Sequence, residues 1–337
     1  MTKVFVLGAT GHIGGGILDA ISNQLSGIEI VALVRDHGKA RRLQQKYKMV
    51  RTILGDFNNA STIEEEAETA GIVINAAPDL QPGGLVAVKA CLQGLASRPS
   101  RGFYIQTSGA FLIGEDTNGE GPSQKIWNDI ADIDQLTALS PEHYHQATDK
   151  LVRDYSSKVN VAIVAPTVVY GLNLSTENRA PITTRDILAT IKELGTGFTI
   201  GKGRNVLGYV HVKDLANIYI KLLADAANGA QQPGRQLWGQ YAYYFANSEE
   251  LTFAEYMRAL VENLKEAGAI TTLEVKEIGT ESSVVEREIV RKTSIKHGYG
   301  ANCRCQSERA KASLGWTPRE PAVKATLVDV VNHLLYE

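Results

Sequence analysis

The sequence predicts an α/β protein built on a doubly wound parallel sheet, with a smaller α/β lobe from its C-terminal half. Three observations carry that expectation. Apolar runs of strand length show little alternation, so their strands are buried on both faces. Helical patterns separate most of these runs, as parallel crossovers require. A glycine-rich turn closes the first run and opens a helix.

The runs follow in order as "KVFVLGA", "IEIVALVRD", "VRTILGD", "GIVINAA", "GFYIQTSG" and "VNVAIVAP". Helical segments such as "HIGGGILDAISNQL" and "GGLVAVKACLQGLA" lie between them. After residue 170 the rhythm changes to the polar, turn-rich "YGLNLSTENRAPITTRDI" and the glycine-rich "GTGFTIGKGRNVLGYVHV". "QYAYYFANSEELTFAEYMRALVENL" then reads as a strand, a Ser/Glu cap and an amphipathic helix. We therefore expect residues 1–170 to form a nucleotide-binding domain, with later segments returning to it. Residues 171–337 form mainly the substrate lobe.

Composition narrows the function classes. Of 337 residues 44% are apolar and 21% charged, and the formal net charge is −2, so no general pull toward nucleic acid or membrane is expected. No apolar run approaches the ~18 residues of a membrane span. The opening "MTKVFVLGATG" lacks the order of a secretory signal, and a cytoplasmic location is expected. The three cysteines, Cys91, Cys303 and Cys305, form no disulfide framework, and "CRC" has no matching His/Cys pair for a metal.

In "VLGATGHIGGG" the residues Gly8, Gly11 and Gly14 form Gly-x-x-Gly-x-x-Gly. A tight turn, close backbone approach to a pyrophosphate and a helix N-terminus beneath the anion all demand small residues there. Gly8, Thr10, Gly11, His12, Ile13 and Gly14 are the expected cradle. The second strand ends "ALVRD", placing Arg35 where an acidic residue would bind the ribose of NAD. Arg35 suits a 2′-phosphate, with Lys39, Arg41 and Arg42 nearby, so NADP(H) is expected ahead of NAD(H). The adjoining Asp36 is the residue that would serve NAD(H).

Taken together, the chain resembles the extended short-chain dehydrogenase/reductases, the epimerase/dehydratase-like branch with a Rossmann nucleotide domain. The resemblance runs nearly the whole length, through "GATGHIG", "LGDFNN", "INAAP", "QTSGA", "APTVVYG", "GYVHVKDLANIY" and "LGWTP". It implies cofactor contacts from Asp56, Phe57, Ala76, Ala77, Pro166, Thr167 and Val168. It also implies an oxidoreductase chemistry of Ser or Thr, Tyr and Lys, in which the lysine lowers the tyrosine pKa and the tyrosine exchanges the substrate proton. Ser108 matches the serine, with Thr107 beside it.

The tyrosine and lysine do not match. In "SPEHYHQATDKLV", Ser140 and Pro141 predict a helix start, and Tyr144 and Lys150 are six residues apart. That is about 240° around a helix, so they point apart, and Tyr144 is expected to pack with Thr148, Leu151 and Tyr155. Two registers remain. In one, Lys150 is the family lysine, a catalytic and cofactor contact, and Gln146 replaces the tyrosine. In the other, His145 and Asp149 stand at the two positions, i and i+4 on one face, and a histidine exchanges protons near neutral pH. Tyr170 is a further source of a proton.

The arginine that holds a sugar-nucleotide diphosphate in this family is replaced by Leu207 or Gly208, with Arg204 a few residues upstream. His211 with Asp214 is expected to cap the following helix rather than to react, and "YAYYF" and Trp127 to form pocket wall or core. The expected function is an NADP(H)-dependent oxidoreductase of a small carbonyl or alcohol compound, monomeric or homodimeric, and not acting on a sugar nucleotide. The alternatives are a non-redox isomerase or dehydratase and an inactive NADP-sensing protein.

Overall fold

The computed structural model describes residues 1–78, 81–229, 236–279 and 299–336. The predicted strands are all present as β1 (Thr2–Leu7), β2 (Ile28–Val34), β3 (Val50–Leu54), β4 (Ile72–Asn75) and β5 (Phe103–Thr107). Short β6 (Glu115–Asp116) and β7 (Trp127–Asn128) precede β8 (Asn160–Pro166), the sixth strand read from the sequence. Then come β9 (Val168–Tyr170), β10 (Gly197–Ile200), β11 (Val206–His211), β12 (Tyr243–Ala246), β13 (Glu249–Thr252) and β14 (Val275–Ile278). The early helices are α1 (His12–Gln24), α2 (His37–Lys46), α3 (Ala60–Ala70), α4 (Gly84–Ala96), α5 (Ile133–Thr137) and α6 (Gln146–Asp154). The later ones are α7 (Ile182–Leu194), α8 (Val212–Ala227), α9 (Phe253–Glu266), α10 (Glu308–Leu314) and α11 (Val323–Tyr336).

Seven strands form one parallel sheet in the order β12-β8-β5-β4-β1-β2-β3. Alternate residues of β1 enter opposite cores, which is why its sequence does not alternate. Val4 and Val6 pack with Ile17 and Leu18 of α1 and Leu215 and Leu222 of α8. Phe5 and Leu7 pack with Ile63 of α3, Val88 of α4 and Val152 of α6. Each such side chain, fully buried, contributes roughly 1.5–3 kcal/mol. The seventh strand, β12, comes from the C-terminal half. No described helix is long and apolar enough to cross a membrane.

The direction of the chain reverses between β1 and β4, so a crevice opens at the carboxyl ends of these strands. Five of the remaining strands form small sheets, β13-β11-β9 and β10-β14, while β6 and β7 pair with two-residue strands at Ala301–Asn302 and Cys305–Gln306. Trp316 of "LGWTP" is buried and donates through Nε1 to the Asp214 carbonyl at 2.8 Å. His211 caps α8 as expected, accepting from the Lys213 amide at 3.2 Å. Asp214 does something else. Its carboxylate accepts the Arg319 and Glu320 amides, tying the C-terminal segment to α8.

Candidate active site

The glycine turn lies at the crevice. Gly8 has φ +78°, and a Cβ there would fall 2.6 Å from the Ala76 carbonyl carbon. A Cβ on Gly14 would lie 2.1 Å from the Gly8 carbonyl oxygen, so these two glycines let α1 and β4 close on β1. Gly11 differs. Its Cβ would meet only the Gly8 carbonyl oxygen, at 3.2 Å. The first bond of α1 runs from the Gly15 amide to the Gly11 carbonyl, leaving the amides of His12, Ile13 and Gly14 without an acceptor in the helix. That is an anion seat.

A cavity of about 200 Å³ opens over this seat. Gly8, Thr10, Gly11, Arg35, Asp56, Phe57, Ala76 and Ala77 line it, together with Lys39, Gln81 and Asn178. Asp36 is engaged elsewhere: its carboxylate caps α2 by accepting the Lys39 amide at 2.8 Å. Of the neighbouring cations, Arg42 is held by Glu177 through two bonds of 2.5 and 3.1 Å.

Residues 173–178 strap the turn to the second half of the chain. Asn173 donates to the His12 carbonyl at 2.6 Å, and Asn178 to the Thr10 carbonyl at 2.8 Å. Gly15 makes room for this strap, since a Cβ there would lie 2.3 Å from Ser175 Oγ. His12 turns away from the cavity toward the Gly171 carbonyl, with 2.8 Å between Nε2 and the oxygen. Burial lowers its pKa to about 4, so it is neutral at pH 7.

A depressed folded-state value means the unfolded chain binds the proton more readily. The stability His12 contributes is therefore present above about pH 6.5 and lost as pH falls toward about 4. NMR of the His12 ring should show it still neutral at pH 5.5; titration near 6.5 would contradict this.

A buried polar corner forms where β5 ends. Ser108 is anchored by its amide on the Val164 carbonyl, 2.8 Å away, and its Oγ donates to Asp149 Oδ2 at 2.6 Å. Tyr243 of β12 donates its hydroxyl to the same oxygen at 2.9 Å. Asp149 is fully buried, and its amide donates to the His145 carbonyl at 2.9 Å. Burial first, then the Asp149 charge, pushes the Tyr243 pKa far up, so its hydroxyl stays a donor. The His145 imidazole lies against Gly109: a Cβ there would fall 2.6 Å from its Nε2. The glycine after Ser108 is what admits the ring.

The helix expected from Ser140 begins instead at Gln146. Two separate turns precede it, His143 amide to Ser140 carbonyl and Gln146 amide to His143 carbonyl, and His145 takes φ +65°. A left-handed residue cannot sit inside a right-handed helix. The helical phase assigned to Tyr144 therefore does not apply, and its half-buried ring meets Phe111, centroids 5.4 Å apart. Lys150 lies on the exposed face of α6, bonded to Asp154 at 2.6 Å, and is not brought to Ser108. Gln146 is buried, donating to the Leu136 carbonyl. The fold thus brings the His145/Asp149 pair, and not the Gln146/Lys150 pair, beside Ser108.

Other candidates fall outside the corner. Tyr170 donates to the Pro321 carbonyl at 2.9 Å, and Thr107 bonds the Tyr219 hydroxyl. Pro166 ends β8, Val168 opens β9, and none of Pro166, Thr167 and Val168 lines the cavity; Thr167 Oγ1 between them donates to the Ala246 carbonyl at 3.0 Å. Tyr243 escaped the sequence reading. Its signal was the tyrosine-rich "YAYYF", because a tyrosine buried in a core strand needs a hydrogen-bond partner.

Two adjoining front cavities of about 230 Å³ each share Gly114 and His143, and neither is lined by Ser108, His145, Asp149 or Tyr243. Phe111 and Tyr144 wall one, Trp127 and Arg304 the other. Arg304 is paired with Glu250 at 2.8 Å, and Lys125 sits over the Trp127 ring.

No family model matches the chain. A curated protein named oxidase ucsJ, from an Acremonium species, is 26% identical over 98% of this chain and 97% of its own length. Among solved structures, dTDP-glucose 4,6-dehydratase of Bacillus anthracis in complex with NAD is 15% identical with TM-score 0.67, covering 98% and 96% of the two chains. UDP-glucose 4-epimerase of Bifidobacterium longum in complex with NAD+ and UDP is 14% identical with TM-score 0.66, covering 98% and 97%. The chain shares the fold of these solved structures, and the likenesses are to proteins named as enzymes.

Proposed function

We propose that the protein is an NADP(H)-dependent oxidoreductase acting on a small carbonyl or alcohol compound. The observation that carries this reading is the grouping of Ser108, Asp149 and His145 at the end of β5, one strand from the glycine cradle. When bound, the nicotinamide supplies the exchange of a hydride with the substrate carbon. The amides at the start of α1 hold the pyrophosphate, and His145 donates to the substrate oxygen where the family's tyrosine would stand. Pro166, Thr167 and Val168 are the residues assigned to the nicotinamide end.

NADP(H) is favoured over NAD(H) because Arg35 and Lys39 line the cavity while Asp36 is held as a helix cap. A substrate other than a sugar nucleotide is favoured because β11 has no room for the diphosphate arginine. A Cβ on Gly208 would lie 2.5 Å from Asn247 Oδ1, Leu207 is buried, and Arg204 does not line the front cavities.

Fluorescence titration should show NADPH bound more tightly than NADH, and Arg35→Ala should narrow the difference by roughly tenfold or more, the loss of a charge-assisted bond. Equal affinities in the wild type would overturn the NADP(H) assignment. Absorbance of the cofactor with a panel of alcohols and carbonyl compounds tests the reaction itself.

A further inference from the structure

We infer that Ser108 and Asp149 form a buried proton relay that takes the hydroxyl proton of an alcohol substrate, with Tyr243 as the residue that positions the carboxylate. This deepens the oxidoreductase reading and rests on it. A serine hydroxyl has one proton and two lone pairs. The Ser108 proton points to Asp149 Oδ2 at 2.6 Å, the short distance of a hydroxyl on a charged acceptor. Tyr243 fills a second direction on the same oxygen at 2.9 Å. Two donors converging there fit an ionised carboxylate.

Ser108 consequently faces a substrate with lone pairs. A carbonyl oxygen meets it as one acceptor against another; an alcohol donates its O–H and is held. His145, whose ring packs against Gly109, is placed by the same reading as a donor to that oxygen. The oxidation then balances. The substrate C–H bond breaks, and its electron pair leaves with the hydrogen as hydride to the oxidised nicotinamide of NADP+. The O–H bond breaks, its proton passes to Ser108 Oγ, and the Ser108 proton passes to Asp149 Oδ2. C=O forms as these bonds break. The substrate loses two electrons, the nicotinamide gains them, and the proton rests on Asp149. Carbonyl reduction is the same path reversed, starting from a protonated Asp149.

The step is tested without the natural substrate, using trifluoroethanol, an acidic alcohol that resists oxidation, added to the NADP+-loaded protein. The alcohol should bind while Asp149 is ionised, and infrared difference spectra taken against pH should show the C=O stretch of a protonated carboxyl group appearing at the pH where alcohol binding is lost. Asp149→Asn should abolish that band. Ser108→Ala, which leaves the carboxylate in place, should keep the band and uncouple it from alcohol binding. Tyr243→Phe, with one donor fewer on the carboxylate, should show the band at a higher pH than the wild type, a change that loss of packing would not produce.

Alcohol binding that is unchanged as the carboxyl band appears, or a band that survives Asp149→Asn, would overturn the relay. Failure of trifluoroethanol to bind the NADP+-loaded protein, while NADP+ itself binds, would overturn the alcohol assignment. Failure of NADP+ to bind would instead remove the oxidoreductase reading beneath it.

Discussion

His145→Ala is expected to lower turnover by about 100-fold or more, the usual worth of a donor positioned on the reacting oxygen, while cofactor affinity and folding stay near wild type. The expectation rests on position. The imidazole lies against the residue that follows Ser108, and its backbone precedes the helix that carries Asp149. Two substitutions serve as controls. Tyr144→Phe should cost little turnover, because the ring contact with Phe111 survives the loss of the hydroxyl. Lys150→Ala should cost little as well, since the ammonium is exposed on the outer face of α6 and its Asp154 pair is of the exposed kind worth 1 kcal/mol or less. Steady-state rates with the same alcohol for all three variants make the comparison. A full rate in His145→Ala, or a collapse in Lys150→Ala, would show that the other register carries the chemistry.

Gly11→Val and Gly14→Val should part company just as sharply. At Gly11 a side chain meets only the Gly8 carbonyl oxygen at 3.2 Å and otherwise projects from the cavity lining, so the protein should fold and lose dinucleotide binding by at least 100-fold. At Gly14 a Cβ would overlap the Gly8 backbone at 2.1 Å, and β1 and α1 cannot both stay in place. That variant should lose several kcal/mol of stability or fail to fold. Thermal unfolding and cofactor titration of the two proteins check this. Wild-type binding by a folded Gly11→Val would place the dinucleotide elsewhere.

The parallel sheet was legible because burial on both faces leaves uninterrupted apolar runs, and six strands were readable that way. β12 was less so, because it returns from the far half of the chain to pair with β8. No local pattern announces a partner about 80 residues away. The cradle was legible for a related reason: Gly8 and Gly14 are backbone collisions avoided, and sequence shows the missing side chains directly.

The corner at Ser108 was only half legible. Spacing paired His145 with Asp149, and the structure brings both near Ser108, although the helix does not contain His145. Ser140 and Pro141 carry a genuine helix-start signal, and what overrides it is the left-handed turn that seats the imidazole on Gly109. Tyr243 and the strap at 173–178 were out of reach. Their partners, Asp149 and the glycine turn, are distant in sequence and are reached through hydrogen bonds rather than periodic burial.

The most direct test of the central claim is a crystal structure of the protein with NADP(H) bound. The dinucleotide should cross the crevice between β1 and β4, its 2′-phosphate on Arg35 and its pyrophosphate on the first turn of α1. The His145 imidazole and the Ser108 hydroxyl should face C4 of the nicotinamide. A complex in which Tyr144 covers that carbon while His145 lies in solvent would contradict the account.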